Sequence, residues 1–91
     1  MANKKDLKKS INYICSNLFA ECVAVSLYEG NAKKENVEAL LASIVHTHSN
    51  YIRRVSHPEP GMPAKKYYQD LITLFNREAD DIIDQIGNLI G

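Results

Sequence analysis

The chain has 91 residues, 45% apolar and 24% charged, with Lys plus Arg and Asp plus Glu each counting 11. That length closes one hydrophobic core but not two, and the composition is too apolar for a disordered polymer. The even charge balance gives no net field of the kind that marks a general nucleic-acid binder, so nucleic acid is not an expected partner and any charge argument has to be local.

The N-terminus, Met1 to Asp6, runs straight into an amphipathic pattern without an apolar signal core or a small-residue cleavage site, so export is not expected. Asn3 is a candidate N-cap. Leu7, Ile11, Ile14, Leu18, Cys22 and Val25 then recur at spacings of three and four, which predicts a first helix over about 4–29. Gly30-Asn31 offers a left-handed C-terminal position and a fresh cap. A second helix over about 32–56 follows, with a stripe of Val37, Leu40, Leu41, Ile44, Val45, Tyr51, Ile52 and Val55. Ser56 to Pro63 holds all three prolines and cannot continue a helix. Within it, Pro60-Gly61 suits the centre of a type II turn, and Pro63 suits the opening of a third helix. That helix spans about 63–89 and buries Tyr68, Leu71, Phe75, Ala79, Ile82, Ile86 and Leu89.

No segment alternates with the period of two that a half-buried strand requires. Three helices of similar length joined by short connections predict an all-α, up-down-up three-helix bundle, forming one domain over 1–91. The competing architecture is a helical hairpin that completes a four-helix bundle as a dimer. Every apolar run is interrupted by Lys, Glu, Asn or Asp before the roughly 20 residues needed to cross a bilayer, so no membrane span is expected. Cys15 and Cys22 lie two turns apart on one helix, about 10 Å between Cα atoms, too far for a disulfide. They read as small buried apolar side chains of a reduced, cytoplasmic protein.

The sequence contains no glycine-rich phosphate fingerprint, no Cys-x-x-Cys pair, no Gly-x-Ser-x-Gly elbow and no Glu-x-x-His of the di-iron bundles, so no cofactor or metal is expected. His46 and His48 are rotated by about 200° on a helix and cannot chelate together. His48 falls on the apolar stripe and is expected in the core with one ring nitrogen satisfied, whereas His46 projects to solvent. The five tyrosines read as wall residues, apolar body inward and hydroxyl outward.

Two surface features remain. Ile72, Ile83 and Ile90 form an outer row on a third helix whose apolar arc is about 160° wide against a 100° core stripe, a candidate homodimer face. The up-down-up topology gathers Lys4, Lys5, Lys8, Lys9, Arg53, Arg54, Lys65 and Lys66 at one end, with His57 beside them, opposed there only by Asp6, Glu59 and Asp70. This basic end is a candidate patch for an anion or a partner, and the far end is correspondingly acidic.

The stretches Asn12-Tyr13-Ile14-Cys15 through Tyr28-Glu29-Gly30, and Arg53 to Pro63, resemble uncharacterised small helical proteins of the Bacteroidales, over the whole chain. The resemblance implies a small bacterial cytoplasmic protein and transfers no activity, ligand or site residue. With a marked core and no convergent catalytic groups, the expected function is a non-enzymatic protein-interaction module. The alternative is a small-ligand or anion-binding protein using the basic end.

Overall fold

Three helices account for the architecture: α1 (Lys4–Tyr28), α2 (Lys34–Ser56) and α3 (Ala64–Ile90). The computed structural model describes residues 4–28, 30 and 32–90, and the side chains of all of these except Ile90. All three helices pack against one another, so the bundle is the three-helix one and not a bare hairpin. With helices of 23 to 27 residues, about 35 to 40 Å long, it forms a rod of 49 × 18 × 17 Å.

The helix ends follow from local chemistry. Pro63 has no amide hydrogen, but its carbonyl accepts the first helical bond of α3 from Tyr67 N at 3.0 Å, so it sits at the cap rather than inside the helix. Immediately before it, Gly61 has φ +90°, and Met62 N donates to Glu59 O at 3.4 Å. That is the expected type II turn with Pro60 and Gly61 at its centre. The start of α2 differs from expectation: Lys33, not Asn31, occupies the N-cap, with extended backbone and no side-chain cap bond. Asn3, Glu29 and Asn31 lie outside the described residues, and with them the expected Asn3 cap and the flanks of the Gly30 turn.

The core is one continuous cluster along the rod axis, with Tyr51, Phe75, Ile11 and Ile44 among its most buried large side chains. From α1 it takes Leu7, Ile11, Cys15, Leu18 and Cys22, while Ile14 and Val25 are only half-buried beside it. Both cysteines are buried as free thiols, and burial pushes both thiols above their ordinary pKa. From α3 it takes Tyr68, Leu71, Phe75, Ala79, Ile82 and Ile86, with Leu89 half-buried against it.

α2 corrects the sequence reading by a rotation. Its buried line runs Val37, Leu40, Ile44, Thr47, Tyr51, Val55, so Thr47 and not His48 faces the core, at 9% exposure. Leu41 and Ile52 flank that line, half-buried, and Val45 is 54% exposed. The cause is that α2 packs on two neighbours at once, which centres its buried face between them rather than on its most apolar arc.

α1 also departs from the expectation of no membrane-length segment. By length and composition it is apolar enough to cross a bilayer or to serve as a signal sequence, and 22% of its most apolar 18-residue window is buried in the bundle. Core helices of soluble proteins pass the same test, and here α1 supplies five buried core residues.

Candidate functional site

The basic end is built where the sequence places it. The N-termini of α1 and α3 and the C-terminus of α2 share one end, because α2 runs antiparallel to both neighbours. Asn12 of α1 meets His48 of α2, and the Tyr51 ring meets the Phe75 ring edge-on with centroids 5.2 Å apart. Lys4, Lys5, Lys9, Arg53, Arg54, His57, Lys65 and Lys66 are exposed there, and Lys8 is half-buried.

Two tyrosines lock this end. The last carbonyls of a helix have no intrahelical partner. The Tyr67 hydroxyl donates to Arg54 O at 2.9 Å and reaches His57 O at 3.5 Å, and the Tyr68 hydroxyl reaches Val55 O at 3.5 Å. The first turn of α3 thereby supplies acceptor-satisfying groups to the last turn of α2, fixing the loop between them. Arg53 and Arg54 also suit the negative end of the α2 dipole. The Arg54 guanidinium lies over the Tyr51 ring at 5.2 Å, a cation–π contact that holds its head group in place.

Under the proline loop a groove of about 570 Å³ opens. Its lining combines apolar Leu71, Leu74, Met62, Pro58 and Pro60 with polar Arg54, His57, Tyr67, Glu59 and Asp70. Of the predicted patch, then, only Arg54 and His57 line the groove. Lys4, Lys5, Lys8 and Lys9 belong to α1 and do not line it, and neither do Arg53, Lys65 or Lys66. Lys66 instead approaches Asp70 at 3.8 Å, an exposed i,i+4 pair worth little by itself. The sequence reading puts Leu71 in the core and Pro58, Pro60 and Met62 in the loop, but does not join them with Leu74 into a groove. Met62 and Leu74, outside every helical stripe yet close to a proline-rich turn, were the available signal.

His48 is half-buried rather than buried, and its Nε2 pairs with Asn12 Oδ1 across the α1–α2 seam. His46 is exposed, as expected. The tyrosines divide: Tyr51 and Tyr68 are buried and Tyr67 half-buried, but Tyr13 and Tyr28 are 70% and 87% exposed and so are not wall residues. On α3, Ile72 is half-buried against the core and Ile83 is 51% exposed, so these two do not make one exposed row. The Ile90 side chain lies outside the described residues.

None of the groups whose ionisation is displaced lines the groove. Cys15 and Cys22 are raised by burial alone. Tyr51 is raised first by burial, then by the charge and hydrogen bond of Glu78, with Arg54 acting in the opposite sense. These are consequences of core packing and do not assemble a nucleophile with a base. Among the described residues no three His, Cys, Asp or Glu side chains converge on a common point for a metal ion. No family model matches the chain, and no curated protein and no solved structure matches it either.

Proposed function

We propose that the protein is a non-enzymatic docking module that takes an acidic, partly apolar segment of a partner protein at the basic end of the bundle. One observation carries this reading: the 570 Å³ groove opens at the end where eight of the 11 basic residues gather. The apolar lining of Met62, Leu71 and Leu74 gives an anchoring surface, and a negative flank is drawn to the cations around the groove, Arg53, Lys65 and Lys66, since Glu59 and Asp70 offset Arg54 within the lining. The surrounding lysines steer association over about a Debye length, roughly 8 Å at physiological salt.

A second reading, a small anionic ligand in the same groove, is favoured by its volume, within the roughly 300 to 1,000 Å³ of ligand sites. Glu59 and Asp70 in the lining weigh against a bare anion and for a ligand with an apolar body. The test is capture of partners from the native cell at low and high salt. It compares wild type with a Lys4→Gln, Lys5→Gln, Arg53→Gln, Arg54→Gln variant and with Leu74→Glu. Loss of a salt-sensitive partner in both variants, with helicity unchanged, supports docking. Capture that ignores salt and both variants refutes it. Saturable binding of inorganic phosphate with no protein captured would replace docking with the ligand reading.

A further inference from the structure

A second groove follows the α2–α3 seam, toward the end of the rod away from the proline loop. Its inner stretch, about 180 Å³, is lined by Ser43 and Thr47 of α2 and by Glu78, Asp81, Ile82 and Gln85 of α3. Its outer stretch, about 300 Å³, shares Ser43 and Gln85 and continues past Leu40 and Leu89 to Asn36 and Asn88. Among the described residues no Lys, Arg or His lines either stretch.

Thr47 distinguishes the inner stretch from a mere gap between helices. At 9% exposure it is the buried polar residue of the described core. Its hydroxyl makes no hydrogen bond among the described residues, whereas those of Ser56 and Thr73 turn back to the carbonyl four residues earlier on their own helices. Among the same residues no fully enclosed side-chain oxygen is without a partner, so the Thr47 oxygen is not enclosed and opens to the groove. A hydroxyl otherwise surrounded by core gains a bond from whatever polar group fills that space. Across from it, Glu78 and Asp81 lie three positions apart on α3 and present two carboxylates on one side of the helix. The Tyr51 hydroxyl donates to Glu78 and so orients its carboxylate.

We infer that this groove binds a linear aliphatic polyamine, with a terminal ammonium held by Thr47, Glu78 and Asp81. The donor count fits, because an ammonium has three N–H groups and no acceptor, and the inner stretch offers one hydroxyl oxygen and two carboxylates. A divalent metal ion fits worse: it takes about six or more oxygen ligands, and among the described residues no three His, Cys, Asp or Glu converge. The outer stretch sets the rest of the ligand. Asn36 and Thr47 lie about 16 Å apart along α2 at 1.5 Å per residue, a span that a compact cation would leave empty. An alkyl stem runs over Ile82, Leu40 and Leu89, and further amine N–H groups reach the carboxamide oxygens of Asn36 and Asn88. Both stretches are at or below the small end of ligand sites, roughly 300 Å³, which suits a thin chain and not a helical segment of a protein. The two ends of the rod thus take ligands of opposite charge.

The test is titration of the full chain with spermidine at physiological salt, followed by calorimetry and NMR, with helicity checked by circular dichroism. Saturable binding below about 1 mM is expected, with shifts at Ser43, Thr47, Asp81 and Gln85 and none at Arg54, His57 or Leu74. Asp81→Asn and Glu78→Gln should each weaken binding about tenfold. Thr47→Val keeps the shape of the side chain in the core and should weaken binding about fivefold without lowering stability. Asp80→Asn removes the same charge from an exposed position outside the groove and should weaken binding less than about twofold. 1,4-Diaminobutane, too short to reach Asn36, should bind more weakly than spermidine. Absence of saturable binding, equal losses in Asp80→Asn and Asp81→Asn, or the same shifts with magnesium chloride at equal charge would overturn the inference. So would an oligolysine peptide that displaces spermidine and binds more tightly, which would put a protein partner in its place.

Discussion

α1 and α3 have 25 and 27 residues and feed the same core, but they spend their apolar residues differently. In α3 a stripe from Tyr68 to Ile86 is buried, and the helix exposes five of the chain's 11 acidic residues, Asp70, Glu78, Asp80, Asp81 and Asp84. In α1 apolar residues surround the helix, and the bundle buries only the part that meets α2 and α3. A helix apolar on all sides is normally enclosed on all sides. α3 therefore keeps its main apolar stripe within the chain, whereas α1 leaves Phe19 and Leu27 outside the core.

The sharpest way to break this comparison is to truncate one phenylalanine on each helix. Phe75 is buried at 1% exposure against Tyr51, and Phe75→Ala should cost about 3 to 5 kcal/mol, a large share of the roughly 5 to 15 kcal/mol that holds a small domain folded. Phe19→Ala should cost less than about 1 kcal/mol, since the ring is partly exposed. Urea unfolding of both variants decides it, and equal losses would mean that α1 is as fully packed as α3.

A smaller effect is expected at the polar seam beside Phe19. Asn12→Ala removes the partner of His48 Nε2 at a site that water can reach, and should cost on the order of 0.5 to 1.5 kcal/mol by the same unfolding experiment. A larger loss would show that the seam is drier than its exposure indicates.

The smallest effect at neutral pH concerns the buried thiols and Tyr51. Their folded pKa values lie above the unfolded ones of 9.0 and 10.0, so above these values the folded state retains protons that the unfolded state has released. Stability should accordingly be insensitive to these groups below about pH 9 and should fall as pH rises through their folded pKa values. Unfolding midpoints measured from pH 7 upward should show that decline. Tyr51→Phe should remove the part that begins near pH 10, and an unchanged alkaline profile in that variant would contradict the assignment.

How far the sequence could be read tracks the same contrast. The α3 stripe was legible because Tyr68, Leu71, Phe75, Ala79, Ile82 and Ile86 recur on one face, with Arg77, Asp80, Asp81 and Asp84 off it. The proline loop was legible because Pro60-Gly61 leaves the backbone few choices. α1 and α2 are legible as helices but not fully in rotation: Cys15 is buried as expected, while Ile14 on the expected stripe is only half-buried, and Thr47 takes the core place expected of His48. With apolar residues on several sides, periodicity does not name the buried face, and only packing against two neighbours does. At the candidate site, the clustering of basic residues followed from topology alone. The groove did not, because Met62, Leu71 and Leu74 come together only once Tyr67 and Tyr68 have pinned α3 to the end of α2.

The most direct test of the contrast between α1 and α3 is NMR with a soluble paramagnetic chelate, which broadens the side chains that solvent reaches. The account predicts strong broadening of the Phe19 ring and the Leu27 methyls and little of Phe75 and Ile82. Equal broadening of the two sets would contradict it.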